Sequence, residues 1–162
     1  MQRLHPPTLP LTGGCPCETL RFAVSAMPFL IFACHCRECQ RWSGSAFALS
    51  MPVRREGFVL MRGTPKPWRH TGASGFESTY WFCGDCGARV FAERADRPDI
   101  VTVRAGTLDD TLWVRPIAHI NLASAQAWER IPNNAACFEA MPKDFASLAE
   151  PWQSLWKEVE RT

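Results

Sequence analysis

Apolar and polar positions alternate with a period of two along much of this chain. Leu20, Phe22 and Val24 are interleaved with Thr19, Arg21 and Ala23, the pattern of a strand with one face on a core. Cys15 to Val24 therefore reads as a strand opened by Gly13-Gly14, and alternation puts Cys15 and Cys17 on one face. Pro28 breaks it, and the apolar run ending at Cys34 reads as a second, buried strand over Phe29 to Cys34. Residues 37 to 42 fit one helical turn.

Ser45 to Val53, Gly57 to Arg62 and Lys66 to Thr71 follow as short runs divided by Pro52, Gly63-Thr64-Pro65 and Gly72, and read as successive antiparallel strands. Ser78 to Phe82 and Arg89 to Glu93 flank Cys83-Gly84-Asp85-Cys86-Gly87, a knuckle in which glycines ease a tight turn. Ile100 to Ala105 is β-rich and stops at Gly106-Thr107-Leu108-Asp109-Asp110, and Ile117 to Leu122 reads as the last strand. Leu148, Trp152, Leu155, Trp156 and Val159 then recur at helical spacing within Phe145 to Val159. The pattern predicts a mostly β fold with a short C-terminal helix and no internal repeat of fixed period.

At 162 residues the chain suits one domain with a sizeable core. Met1 to Gly14 carries Pro6, Pro7 and Pro10 and no long apolar run, so neither a signal peptide nor an anchor is expected and the cytoplasm is the expected location. The longest apolar run is far below the roughly 20 residues a membrane-spanning helix needs.

The cysteines change the picture. All eight could pair as disulfides in an exported protein, but in a cytosolic one clusters this tight are chelating units. They fall as Cys15/Cys17, Cys34/Cys36/Cys39 and Cys83/Cys86, with Cys137 alone. Seven thiolates and two zinc ions, −7 and +4, would carry the formal charge of +2 to −1. With the basic residues scattered, nucleic acid is not an expected partner, and neither is a membrane.

In Cys34-His35-Cys36-Arg37-Glu38-Cys39 an extended backbone points Cys34 and Cys36 one way and His35 the other, and Cys39 arrives from the following turn. Three thiols leave a tetrahedral zinc one vacancy, the mark of a reactive site. The two-cysteine units Cys15/Cys17 and Cys83/Cys86 make a closed four-sulfur set when paired. Spacing alone also allows Cys34 and Cys36 to join the knuckle.

The runs Gly14-Cys15-Pro16-Cys17, Cys34-His35-Cys36-Arg37-Glu38-Cys39, Gly44-Ser45-Ala46-Phe47, Phe82-Cys83-Gly84-Asp85-Cys86-Gly87 and Gly106-Thr107-Leu108-Asp109-Asp110, with Pro116 and His119 beyond, resemble the glutathione-dependent formaldehyde-activating enzyme family, which also includes centromere protein V-like proteins. The resemblance implies a β-tent of layered antiparallel sheets. It implies a structural zinc on Cys15, Cys17, Cys83 and Cys86 and a catalytic zinc on Cys34, Cys36 and Cys39, two ions per chain. It divides the chain into an N-terminal arm (1–11), a zinc-binding domain (12–141) and a helical tail packed on it (142–162). The chain departs from the family at Glu18, where glycine is usual, which leaves the local turn open.

The reaction implied is that of a carbon–sulfur lyase, the addition of a small thiol such as glutathione to formaldehyde. Coordination deprotonates a thiol outright, whereas free in water its pKa is about 8.5. The alternative reading is a non-catalytic zinc module that binds a protein or small thiol. His35 is expected to turn away from the metal, His119 to satisfy backbone groups near the domain edge, and Asp109 and Asp110 to cap a turn. Cys137 is expected to be a spare thiol, and the tryptophans, Trp42 included, to pack in the core. Arg37, Arg41 and Arg104 are the candidate anchors for glutathione's carboxylates.

Overall fold

A computed structural model of the chain describes residues 5–72 and 75–160. In chain order the elements are β1 (Leu11–Gly14), β2 (Arg21–Val24), β3 (Phe32–Cys34), α1 (Arg37–Ser43), β4 (Ala48–Arg54), β5 (Phe58–Arg62), β6 (Lys66–Thr71), β7 (Glu77–Phe82), β8 (Arg89–Arg94), β9 (Arg97–Arg104), β10 (Ala118–Ile120), β11 (Ala136–Cys137) and α2 (Ala149–Glu160). The fold is mostly β with a short C-terminal helix. No helix among the described residues is long and apolar enough to cross a membrane.

The chain folds as two compact units. One comprises Pro7–Pro28 and Met51–Thr111. In it β1, β2 and β5 form an antiparallel sheet, and the later part of β4 continues through β9, β8, β7 and β6. Alternation decides which side chains go inward. Phe22 and Val24 of β2 and Val101 and Val103 of β9 are buried, while their neighbours Arg21, Ala23, Ile100 and Thr102 are part-exposed. Phe22 stacks on Phe58, which in turn meets Phe91 with ring centroids 4.8 Å apart, so aromatic side chains from β2, β5 and β8 close this core.

The other unit comprises Phe29–Ser50 and the chain from Leu112 onward, with His5 and Pro6. Its strand order is β11, β10, β3 and the start of β4. Cys34 pairs with Ala48 of β4 antiparallel and with Ile120 of β10 parallel. Ile31, Ala33, Ala118 and Ile120 are fully buried. Helix α2 buries Trp152 and Trp156, four residues apart, and Trp156 meets Trp113 edge-on at 5.9 Å. Leu148 is buried and Leu155 part-exposed, as the helical spacing predicts, while the side chain of Val159 lies outside the described residues. Residues 1–4 of the expected N-terminal arm also lie outside them.

Several expectations are corrected. The strand begins at Arg21, because Cys15 to Leu20 is a turn closed by Cys15 N–H to Leu20 C=O at 3.1 Å and Glu18 N–H to Cys15 C=O at 3.0 Å. β4, β5 and β6 do not pair in succession; their neighbours are β3 and β9, β2, and β7 respectively. Pro52 lies inside β4 instead of ending it, two residues beyond Ser50, where pairing with β3 stops. β11 follows β10, and both β3 and β11 run parallel to β10, so the sheets are not wholly antiparallel.

Candidate metal centres

Two turns bring four cysteines together in the first unit. Cys15 and Cys17 sit in the β1–β2 turn, where Glu18 has φ 63°, a left-handed angle that glycine takes without strain. Cys83 and Cys86 sit in the β7–β8 turn, closed by Cys83 N–H to Ala88 C=O and Gly87 N–H to Cys83 C=O, with Gly87 at φ 73°. The four Sγ atoms lie within 4.8 Å of one another, with Cys15–Cys17 at 3.4 Å and Cys17–Cys83 at 3.6 Å. A zinc ion with Zn–S bonds of about 2.3 Å has S···S edges of about 3.8 Å. The cluster fits one.

Its surroundings act on the thiols in opposite directions. Leu20 N–H donates to Cys15 Sγ at 3.2 Å, which steadies a buried sulfur as a thiolate. Burial, the largest influence, together with the neighbouring thiols pushes the Cys15 thiol up to about 11. The exposed Cys17 is drawn down to about 6, chiefly by Thr19, whose hydroxyl and backbone amide favour its thiolate.

The other set is local. Cys34 ends β3, and Cys36 is the N-cap of α1, its Sγ accepting from Cys39 N–H at 3.4 Å. Cys39 lies in the first turn of that helix. The three Sγ atoms lie within 4.8 Å of one another, Cys34 buried and the other two part-exposed. Asn121 Nδ2 donates to Cys34 Sγ at 3.3 Å. Hydrogen bonding to Cys36 and Cys39 and then burial push the Cys34 thiol far above its ordinary range, since three sulfurs this close repel one another as thiolates. A divalent cation relieves that repulsion, and the donor set fits zinc with one position to spare.

His35 points away from the thiols, as alternation requires, but it is not idle. It is 0% exposed, and its Nε2 lies 2.9 Å from Nδ1 of His119, which is 3% exposed. Burial lowers both pKa values. This corrects the edge position expected for His119: it pairs with His35 inside the unit because β10 lies alongside β3. Asp109 does not simply cap its turn, because its Oδ2 accepts from Thr12 Oγ1 at 2.6 Å and from Arg21 Nη2. Cys137 is exposed and belongs to neither cluster.

A cavity of about 420 Å³ opens beside α1. Arg37 and Arg41 line it, and Arg104 does not. Trp128, 68% exposed, lines it where Trp42 does not. Gln40 forms its floor. Gln40 Nε2 donates to the carbonyls of His35 at 2.6 Å and Ser124 at 2.8 Å, while its Oε1 accepts from Arg37 Nη1 at 2.6 Å. Sequence reading passed over Gln40, Asn121 and Gln126, and its expectation that the tryptophans pack in the core is corrected at Trp128 and at Trp68, which are exposed. A carboxamide one turn from Arg37 was the available signal for Gln40, and an asparagine closing a strand was the signal for Asn121, which takes φ 57°.

Among solved structures, the crystal structure of a Rhodobacter sphaeroides protein is similar over 65% of this chain and 91% of its own, at 22% identity and a TM-score of 0.49. The family model described as glutathione-dependent formaldehyde-activating enzyme matches residues 10–124, more than half of the chain, and that span includes all seven clustered cysteines. By that match the chain belongs to the glutathione-dependent formaldehyde-activating enzyme family.

Proposed function

We propose that the protein is a zinc-dependent carbon–sulfur lyase that joins a small thiol, glutathione or an analogue, to formaldehyde or a related aldehyde, giving an S-hydroxymethyl adduct. The observation that carries this reading is the set of Cys34, Cys36 and Cys39, three converging sulfurs one donor short of a tetrahedron, with Cys36 and Cys39 part-exposed. In this reading they hold the reactive zinc, and Cys15, Cys17, Cys83 and Cys86 hold a structural one. Bound by the three thiolates, zinc supplies a coordination position at which a substrate thiol gives up its proton. A cytosolic setting suits a chain whose eight cysteines are all free thiols.

The chain's own residues bind and orient. Asn121 fixes Cys34, the Cys39 amide fixes Cys36, and Gln40 ties α1 to the Leu122–Ser124 turn, so the three sulfurs keep their places. The addition needs no oxidant or reductant: sulfur bonds to the carbonyl carbon, the π pair moves to oxygen, and the proton lost by the thiol ends on that oxygen.

The test is exchange at equilibrium, where an enzyme changes rate without changing the product ratio. Zinc-loaded protein is expected to accelerate interconversion of glutathione and formaldehyde with S-hydroxymethylglutathione above the spontaneous rate, and Cys36→Ser to abolish the acceleration. Equal rates for wild type and Cys36→Ser, with glutathione and with other small thiols, would favour the binding-module alternative.

A further inference from the structure

The connection from β5 to β6 runs only from Arg62 to Lys66, and it touches both of the turns that carry the four-thiol set. Arg62 Nη2 donates to the backbone carbonyl of Glu18, the residue after Cys17. Gly63, at φ 83°, packs against the carbonyl of Thr19, where a side chain would collide. Lys66 pairs with Phe82, the residue before Cys83, and its side chain lies across the other turn: a Cβ at Gly84 would meet Lys66 Cε at 2.8 Å and Nζ at 3.4 Å. Among the described residues neither Arg62 nor Lys66 forms an ion pair. Arg21, whose charge also reaches Cys15, is already engaged by Asp109.

We propose that Arg62 and Lys66 are the countercharges of the four-thiol zinc, and that the β5–β6 connection is the clamp that keeps its two turns together. This rests on the reading above in which Cys15, Cys17, Cys83 and Cys86 hold a structural zinc. Zinc bound by four thiolates carries two negative charges, and one cation on each turn balances them. Glu18 and Asp85 add carboxylates to the same turns and pair with neither cation among the described residues, which raises the need for that balance. At neutral pH an empty site takes its protons back, so the cations favour the loaded, charged state over the empty, neutral one. Cys17 and Cys86 are exposed, so solvent reaches the cluster and the effect is open to salt. Arg62 and Lys66 position and retain the ion; they are not ligands to it.

Chelator competition on the zinc-loaded chain is the test, and Cys36→Ser, which removes a ligand of the other set, shows which zinc belongs to the four thiols. Lys66→Met keeps a stem of similar length across Gly84 and removes the charge. It is expected to weaken zinc binding at the four-thiol set about tenfold, and Lys66→Arg to restore it. Arg62→Met is expected to cause a similar loss, and both losses to shrink in high salt. Arg69→Met, on the same exposed strand as Lys66, is expected to hold zinc as wild type does, and the three-thiol set to be unchanged in every variant. Cobalt in place of zinc should give the same order through its thiolate charge-transfer bands, a readout that needs no activity. The inference is overturned if Lys66→Met holds the ion as tightly as wild type, or if Lys66→Arg is as weak as Lys66→Met, which would make shape the cause in place of charge. Should Arg62→Met fail to fold, the Lys66 series decides. A wild-type chain with no metal on the four thiols overturns the structural-zinc reading as well, and metal analysis of Cys36→Ser tells that outcome from the others.

Discussion

Asn121 donates its side-chain amide to Cys34 Sγ over 3.3 Å, reaching across the parallel pairing of β10 with β3. Such a bond steadies a metal-binding sulfur and spreads its charge, and partners of this kind are typically worth 10–100-fold in metal affinity. Asn121 has φ 57° and ψ 42°, so Asn121→Gly keeps the backbone comfortable and removes only the amide. Chelator competition is expected to show the three-thiol set losing zinc affinity by about tenfold, with the four-thiol set unchanged. Unchanged affinity in both sets would make the bond incidental.

The two thiol sets are expected to fail differently when a ligand is lost. Cys17 and Cys83 stand 66 residues apart, so their cluster ties distant segments, whereas the other set is closed within one strand end and one helical turn. Structural zinc contributes about 10–16 kcal/mol in small peptides, as much as a whole domain's net stability of about 5–15 kcal/mol. Cys83→Ser is expected to unfold or aggregate the protein. Cys36→Ser should keep its far-ultraviolet circular dichroism and its melting transition while binding one zinc fewer by metal analysis.

Glu18 holds a left-handed backbone at φ 63°. A non-glycine residue there stores about 1–3 kcal/mol of strain, against which glycine's extra unfolded-state freedom costs about 0.5–1 kcal/mol. Glu18→Gly should therefore stabilise the protein by about 1 kcal/mol, a rise of about 2–4 °C in Tm for a chain of this size. The backbone carbonyl that accepts from Arg62 Nη2 is retained. Calorimetry on the two proteins under the same zinc concentration measures the difference.

Asp109 supplies a pH dependence. The Arg21 guanidinium first, and Thr12 second, hold its carboxyl below the ordinary carboxylate range. With the folded value below the unfolded one of about 3.9, its contribution is complete above that pH and lost as the pH falls through the folded value. Its side chain is 43% exposed, so solvent screening limits the pair to about 1 kcal/mol at most. In denaturant titrations Asp109→Asn should be less stable than wild type by up to that amount at pH 7. The gap should close below about pH 4 and narrow in high salt.

What the sequence made legible was local. Strand Lys66–Thr71, the knuckle between β7 and β8 and the buried face Leu148/Trp152/Trp156 follow from spacing, the division of seven thiols into four and three follows from the family resemblance, and all appear in the structure. What it hid depends on partners far along the chain. Alternation shows that Cys34 and His35 face opposite ways, but nothing near them says that His119 will lie beside His35. Alternation also extended the strand back to Cys15, because a turn held by Cys15 N–H to Leu20 C=O leaves no mark on the apolar pattern. Gln126 and Trp128 sit in a stretch without periodicity, and only the fold gives them a cavity to line.

The parallel pairing of β3 with β10 has a consequence for the newly made chain. β3 meets β4 soon after synthesis, but His119, on its other neighbour, comes 84 residues after His35. At about 5–20 residues per second, the stretch from Cys39 to His119 takes on the order of 4–16 s to emerge. Closing so long a loop is also slow by topology. Throughout that interval Cys34, Cys36 and Cys39 are present together at the end of a strand with one open side and in the turn and helix that follow it, before Asn121 has arrived to hold the first of them. The three-thiol set is thus the first to be complete in sequence and the last to gain its shelter, which makes the nascent chain, more than the finished fold, the stage at which these sulfurs meet stray metals and oxidants.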